Sequence, residues 1–276
     1  MALTANKITI LNVQRNGLNI PLYVETGDQS KPNQPLLFVH HGSGGISSCE
    51  SLWLRKAFEH GWTACYLDSC TPRGIYKINF KNQLSSFERA YDVIAAIRCL
   101  IDNMKMIPFC NPSQIIMIGA SHGAATGIRM LTNRFYFEHT NFIQRVYALY
   151  PGVHPYETDY DTIDGNKLEI HVGEFDNWTP AGPCKVLAER TKSTIFVHKG
   201  IHHGFSKPNS IGVWPDNVIS HNIPYDDPTS SDELYNKSGR AKMIFDKAVK
   251  EKLHLSDVRV EYNEDVVNFI EKRVFG

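Results

Sequence analysis

Ile115-Ile116-Met117-Ile118-Gly119-Ala120-Ser121-His122-Gly123-Ala124-Ala125 carries the strongest signal in the chain. An apolar run of strand length leads into Gly-X-Ser-X-Gly, and the small residues after it read as a helix. A serine so placed sits on a sharp strand-to-helix turn: glycines relieve the crowding where the backbone doubles back, and the hydroxyl projects above the sheet. The pentapeptide alone says little, but its position between a strand and a helix is specific. It predicts an α/β layout with Ser121 as a nucleophile.

Outward from that turn, short apolar segments alternate with helix-length ones. Strands are expected at 35–39, 63–67, 114–118, 145–150, 167–172 and 193–198. Their lack of apolar-polar alternation suits a mostly parallel sheet with helices on both faces. Helices are expected at 50–60, 85–104, 122–134, 181–190, 240–253 and 264–274. Ser85-Ser86-Phe87-Glu88 matches a capping box, and Ala90, Ile94, Ile97 and Ile101 follow at helical spacing. At the N-terminus, 8–13 and 18–24 flank Arg15-Asn16-Gly17, whose Asn-Gly suits an antiparallel hairpin. The segment 206–239 breaks the rhythm with Pro208, Pro215, Pro224 and Pro228, and is expected to be an ordered loop or cover that selects substrate, with Trp214 and Tyr225 as apolar contacts. No linker divides 1–276, so one domain is expected.

A serine hydroxyl needs an oriented base, and the base needs an acid. Both follow in later loops. Gly173-Glu174-Phe175-Asp176 closes one strand, and Gly200-Ile201-His202-His203-Gly204-Phe205 closes the next. Asp176 is preferred to Glu174 because it lies further into its loop, before Trp178 and Pro180. Neighbouring side chains on an extended segment point apart, so only one of His202 and His203 can face Ser121; His203 is preferred. The same opposed geometry argues against metal sites at His202-His203 or His40-His41. A fourth element, His40-His41-Gly42-Ser43-Gly44-Gly45, follows a strand directly, and its glycines let backbone approach a bound carbonyl. The amide of His122 is the expected first oxyanion donor and that of Ser43 the second, with Gly44 close behind.

With these motifs, and with Asp68-Ser69-Cys70-Thr71-Pro72-Arg73-Gly74 after a core strand, the chain resembles the dienelactone hydrolase-like branch of the α/β-hydrolase superfamily over about 35–205. The resemblance implies an α/β-hydrolase fold and a triad that carries over to Ser121, Asp176 and His203. Dienelactone hydrolase proper has cysteine where this chain has Ser121, which moves the expectation from dienelactone toward serine-esterase chemistry on an ester or lactone. A peptidase, an acyltransferase or a noncatalytic binding protein on the same fold are the alternatives. Arg73 is expected to bind backbone carbonyls or Asp68, or else a substrate carboxylate, and Cys70 to be a packed thiol.

Composition sets the remaining bounds. Lys and Arg number 29 and Asp and Glu 29, a net charge of +0, so no global field draws the chain to nucleic acid or an anionic membrane. Six cysteines without metal spacing read as free thiols of a reducing compartment. No signal-peptide pattern or membrane-length apolar run is seen, and a cytoplasmic protein is expected. The chemistry calls for no metal or organic cofactor, and a small-molecule ester or lactone as the partner.

Overall fold

In the computed structural model, which describes residues 8–28, 33–75, 84–107, 110–153, 157–214 and 258–276, Asn16 and Gly17 take φ of 50° and 76°. Positive φ at both positions is the backbone of a two-residue primed turn. It joins β1 (Ile8–Arg15) to β2 (Leu18–Glu25) as an antiparallel pair, with Arg15 opposite Leu18. After the hairpin come β3 (Gln34–His40), β4 (Thr63–Leu67), β5 (Cys110–Ala120), β6 (Ile143–Leu149), β7 (Leu168–Gly173) and β8 (Thr194–His198). The sheet runs β1-β2-β4-β3-β5-β6-β7-β8 and is parallel from β4 to β8. The chain steps from β3 to β4 on one side and returns to β5 on the other. The carboxyl ends of β3 and β5 therefore flank a switch point, where open α/β sheets form a crevice.

Helices cover both faces. Leu36 and Phe38 of β3, Ile115 and Met117 of β5, and Val146 and Ala148 of β6 face one side. There they meet Ala90, Val93 and Ile97 of α2 (Ser86–Asp102), Ala124 and Ile128 of α3 (His122–Arg129), and Leu187 of α4 (Ala181–Thr191). Their neighbours Leu37, Val39, Ile118, Tyr147 and Leu149 face the other side, against Leu52, Trp53 and Ala57 of α1 (Ser48–Glu59) and Val267 and Ile270 of α5 (Glu264–Phe275). Burying both faces explains why the strands read as continuous apolar runs; each large side chain so buried contributes about 1.5–3 kcal/mol. All six cysteines are free, and among the described residues no helix is long and apolar enough to cross a membrane.

Local departures from the sequence expectations have local causes. The reciprocal capping box stands on α1, between Ser47 and Glu50. On α2, Ser85 accepts from the Glu88 amide at 3.1 Å, but the Glu88 carboxylate pairs with Arg15 at 2.6 Å. Helix α3 stops at Arg129 rather than 134. Thr132 Oγ1 donates to the Arg129 carbonyl at 2.8 Å, and the amide of Asn133, which would continue the ladder, donates to Thr162 Oγ1 at 2.9 Å.

Part of 206–239 is a strand rather than a loop: β9 (Ile211–Trp214) pairs antiparallel with β10 (Val258–Glu261). Its β-branched and aromatic residues suit a strand. The rest of that segment, 215–239, with Tyr225, and the helix expected at 240–253 lie outside the described residues.

Candidate active site

Ser121 is the hinge between β5 and α3, with φ 52° and ψ −114°. Positive φ on a serine is costly, and such strain gathers at functional sites. Its amide donates to the Leu149 carbonyl at 2.8 Å, which ties the turn to the end of β6. Glycine is required on both sides. A Cβ at Gly119 would lie 2.6 Å from the Gly123 carbonyl carbon, and one at Gly123 would lie 2.4 Å from the His40 oxygen. The latter contact is with the chain leaving β3, so the Ser121 turn and the His40–Gly45 loop are packed backbone to backbone.

His203 and Asp176 lie beyond β8 and β7. His203 Nδ1 is 2.8 Å from Asp176 Oδ2, and both residues are buried. Asp176 Oδ1 accepts the Trp178 and Thr179 amides at 2.9 and 2.7 Å, so its loop is wound around the carboxylate. Glu174 is turned outward and accepts the Gly200 amide at 2.9 Å, bracing the turn that leads to the histidine. His202 packs on the exposed Phe175, with ring centroids 5.7 Å apart.

The C-terminal segment clamps the histidine loop. The Glu261 backbone amide donates to the His203 carbonyl at 3.0 Å and that of Asn263 to the Phe205 carbonyl at 3.0 Å. Gly204, at φ 76°, leaves no room for a Cβ, which would lie 2.4 Å from Val260 Cγ1. From the core side, Tyr150 sets its ring edge-on to His203 with centroids 4.6 Å apart, and its hydroxyl meets Ser206 Oγ at 2.7 Å.

Ser121 and His203 line one cavity of about 450 Å³, together with Ser43, Gly44, Glu50, Tyr150, Trp178, Lys207 and Val260. The size suits a small organic molecule. Ser121 and His203 share this wall without a hydrogen bond between them. Ser43 and Gly44 both reach the cavity, and His122 opens α3, where the first amides lack helical partners. Lys207 brings the start of the 206–239 segment to the cavity. Glu50, buried in the wall, has its carboxyl pushed upward by loss of water, against the opposing hydrogen bonds from Ser47.

Behind the Ser121 turn lies Arg89 of α2, 2% exposed. Its Nη1 donates to His122 Nδ1 at 2.9 Å, its Nε has no partner, and among the described residues no carboxylate lies within ion-pair distance. Burial brings the guanidinium down to about 10, and burial together with that cation brings His40 and His122 down to about 3. His41 is lowered by the same two causes, and its Nδ1 donates to the Gly42 carbonyl at 2.7 Å. Burial and the Arg89 charge thus disfavour the protonated form of all three imidazoles. Arg89, Thr179 and Val260 were not singled out from the sequence. Their signals were slight: Arg89 shares the helical stripe of Val93, Ala96 and Leu100, and Thr179 follows Asp176 by three residues.

Arg73 is a brace. It binds Asp92 through two nitrogens, each at 2.9 Å, and the Ser69 carbonyl at 2.7 Å. Asp68 instead accepts the Cys70 and Thr71 amides. Cys70 is buried, and burial raises its thiol. Among the described residues no group of three or more His, Cys, Asp or Glu side chains could hold a metal ion.

No family model and no curated protein matches the sequence. Solved structures do resemble the fold. A Klebsiella pneumoniae chain assigned as a dienelactone hydrolase has a TM-score of 0.57 at 13% identity, over 73% of this chain and 89% of that one. Esterase 2 of Thermogutta terrifontis, phosphorylated by paraoxon, has a TM-score of 0.56 at 13% identity, over 72% and 84%. Est1E of Butyrivibrio proteoclasticus, with ferulic acid bound, has a TM-score of 0.55 at 15% identity, over 72% and 92%. At such identities the likeness is one of fold: the chain has the α/β-hydrolase fold.

Proposed function

We propose that the protein is a serine hydrolase that cleaves a carboxylic ester or lactone through an acyl-enzyme. The observation that carries this reading is the 2.8 Å contact between His203 and Asp176, made at the lining of the same cavity that the strained Ser121 turn lines. In the proposed reaction His203 Nε2 takes the Ser121 proton as Oγ attacks the ester carbonyl. The tetrahedral oxyanion accepts hydrogen bonds from the His122 and Ser43 amides. The imidazolium then protonates the departing alcohol oxygen, or the ring oxygen of a lactone. Water repeats the sequence on the acyl-enzyme, returning the acid product and free Ser121. Asp176 holds Nδ1–H and balances the imidazolium charge. The Ser121–His203 bond forms on substrate binding, as catalytic hydrogen bonds tighten in the Michaelis complex.

The dienelactone hydrolase-like resemblance and the esterases among the structural neighbours favour an ester or lactone substrate over a peptide. The test is a panel of p-nitrophenyl esters of graded acyl length, simple lactones and peptide anilides. Turnover of esters or lactones well above that of anilides is expected. Anilide cleavage as fast as ester cleavage would move the protein to the peptidases.

A further inference from the structure

The hydroxyl of Thr179 touches three groups at once. Its Oγ1 is 2.9 Å from the Tyr150 carbonyl, 3.0 Å from Asp176 Oδ2 and 3.1 Å from His203 Nδ1, and the residue is buried. A hydroxyl has one proton to donate and two lone pairs to offer. Tyr150 stands just past the end of β6 with φ 40°, a conformation rare for a bulky residue. Its buried carbonyl has no other donor among the described residues, and an unpaired buried carbonyl is costly. The hydroxyl proton is within reach of both the Tyr150 carbonyl and Asp176 Oδ2, but Asp176 Oδ2 already receives His203 Nδ1–H. Giving the proton to the carbonyl satisfies both acceptors and leaves the Thr179 lone pairs to face Nδ1–H, the one proton then shared by Asp176 Oδ2 and Thr179 Oγ1.

We propose that the Thr179 hydroxyl is a positioning group for His203. By accepting from Nδ1–H while donating to Tyr150, it keeps the imidazole proton on Nδ1 and the Nε2 lone pair toward the cavity. The arrangement joins three successive strand ends. Tyr150 brings β6, Asp176 and Thr179 bring the loop after β7, and His203 brings the loop after β8, with Ser206 closing back onto the Tyr150 hydroxyl. Asp176 alone would leave the ring free to rock about a single hydrogen bond. The second acceptor fixes its plane, and the Tyr150 ring packs against its face. The catalytic part of this assignment rests on the hydrolase reading above, whereas the tautomer it imposes is a property of the folded protein alone.

The decisive comparison is Thr179→Val against Thr179→Ser. Valine keeps the branched shape and the amide bonds to Asp176 but removes the hydroxyl; serine keeps the hydroxyl. Protein labelled with ¹⁵N-histidine reports the His203 tautomer, and a short-chain p-nitrophenyl ester reports turnover. The wild type and Thr179→Ser are expected to hold the Nδ1–H tautomer, and Thr179→Val to show a mixture. Removing one hydrogen bond to a group that becomes charged should lower kcat about 10- to 100-fold in Thr179→Val, with KM changed by less than about twofold and kcat largely restored in Thr179→Ser. If valine prevents folding, Thr179→Ala is read in the same way.

An unchanged tautomer and kcat in the hydroxyl-free variant would overturn the proposal, as would a serine variant as impaired as the valine one. Wild-type protein with no turnover would sink the hydrolase reading instead, and the tautomer comparison would still decide the role of Thr179.

Discussion

At 119–123 the turn is shaped by its own small residues packed backbone to backbone on the ends of β3 and β6. Two glycines stand where a Cβ would meet backbone at 2.4–2.6 Å, and Ser121 between them is forced to φ 52°. At 200–210 almost nothing is local. His203 is held by Asp176 from another loop, by the Tyr150 ring from β6, and by Val260 and Glu261 from the far end of the chain. The first region needs the backbones of the adjacent strands β3 and β6; the second needs side chains from β6, the loop after β7 and the C-terminal segment in place. A serine turn fixed by backbone contacts is robust to distant side-chain substitutions, while an imidazole held by long-range side-chain packing is open to them.

The largest effect that separates these regions should come from Asp176, which reaches His203 from a different loop. Asp176→Asn is expected to lower kcat about 10⁴-fold by favouring the wrong imidazole tautomer, with the fold intact. Glu174→Gln, which touches only the Gly200 amide, should stay within about threefold, the range of an ordinary hydrogen bond. Steady-state kinetics on a short ester decides it, and the opposite ranking would transfer the acid to Glu174.

That contrast also explains how much was legible beforehand. The strands, the helices flanking the site and the glycine-bound serine are written in local pattern, and the Asn16-Gly17 turn is plain from two residues. That Asp176 and His203, rather than Glu174 and His202, would meet could be read from loop position because the strand ends were already located. The second acceptor at Thr179, the Val260 clamp and the buried Arg89 had no such signal. Each depends on which distant segment packs against it, and a lone arginine on a helix reads as a solvated charge until its helix is seen against the sheet. β9 and β10 were missed for the same reason, since two four-residue strands gain their identity only by pairing.

A middle-sized effect tests the clamp. Val260→Ala removes the packing on Gly204 and should cost about 1–2 kcal/mol of stability. If the histidine loop depends on distant packing, kcat/KM should fall about tenfold below the wild type in protein that remains folded, because small misplacements of a catalytic group are costly. Urea unfolding and kinetics on the same preparation separate the two. Full activity with lowered stability would show that the base is held without its C-terminal clamp.

The smallest expected effect concerns pH and the buried groups behind the Ser121 turn. His40 takes a proton near 6.5 in the unfolded chain, but in the folded protein burial and the Arg89 charge delay this to about 3. Below pH 6.5 the unfolded state therefore binds the extra proton, so stability falls as pH drops through the window from 6.5 toward 3. For His40 the slope is at most about 1.4 kcal/mol per pH unit. His40→Gln should flatten the decline between pH 6.5 and 5.5 when unfolding is followed in urea. An identical decline in the variant would mean that this histidine is not held neutral by its surroundings.

The most direct test of a Ser121 nucleophile driven by His203 is intact-mass analysis after exposure to a fluorophosphonate. The wild type should gain one adduct, located by peptide mapping at Ser121, and Ser121→Ala should gain none. His203→Ala should label far more slowly while retaining the wild-type fold by circular dichroism. An adduct on another residue, or wild-type labelling speed in His203→Ala, would contradict the proposed pairing of this nucleophile with this base.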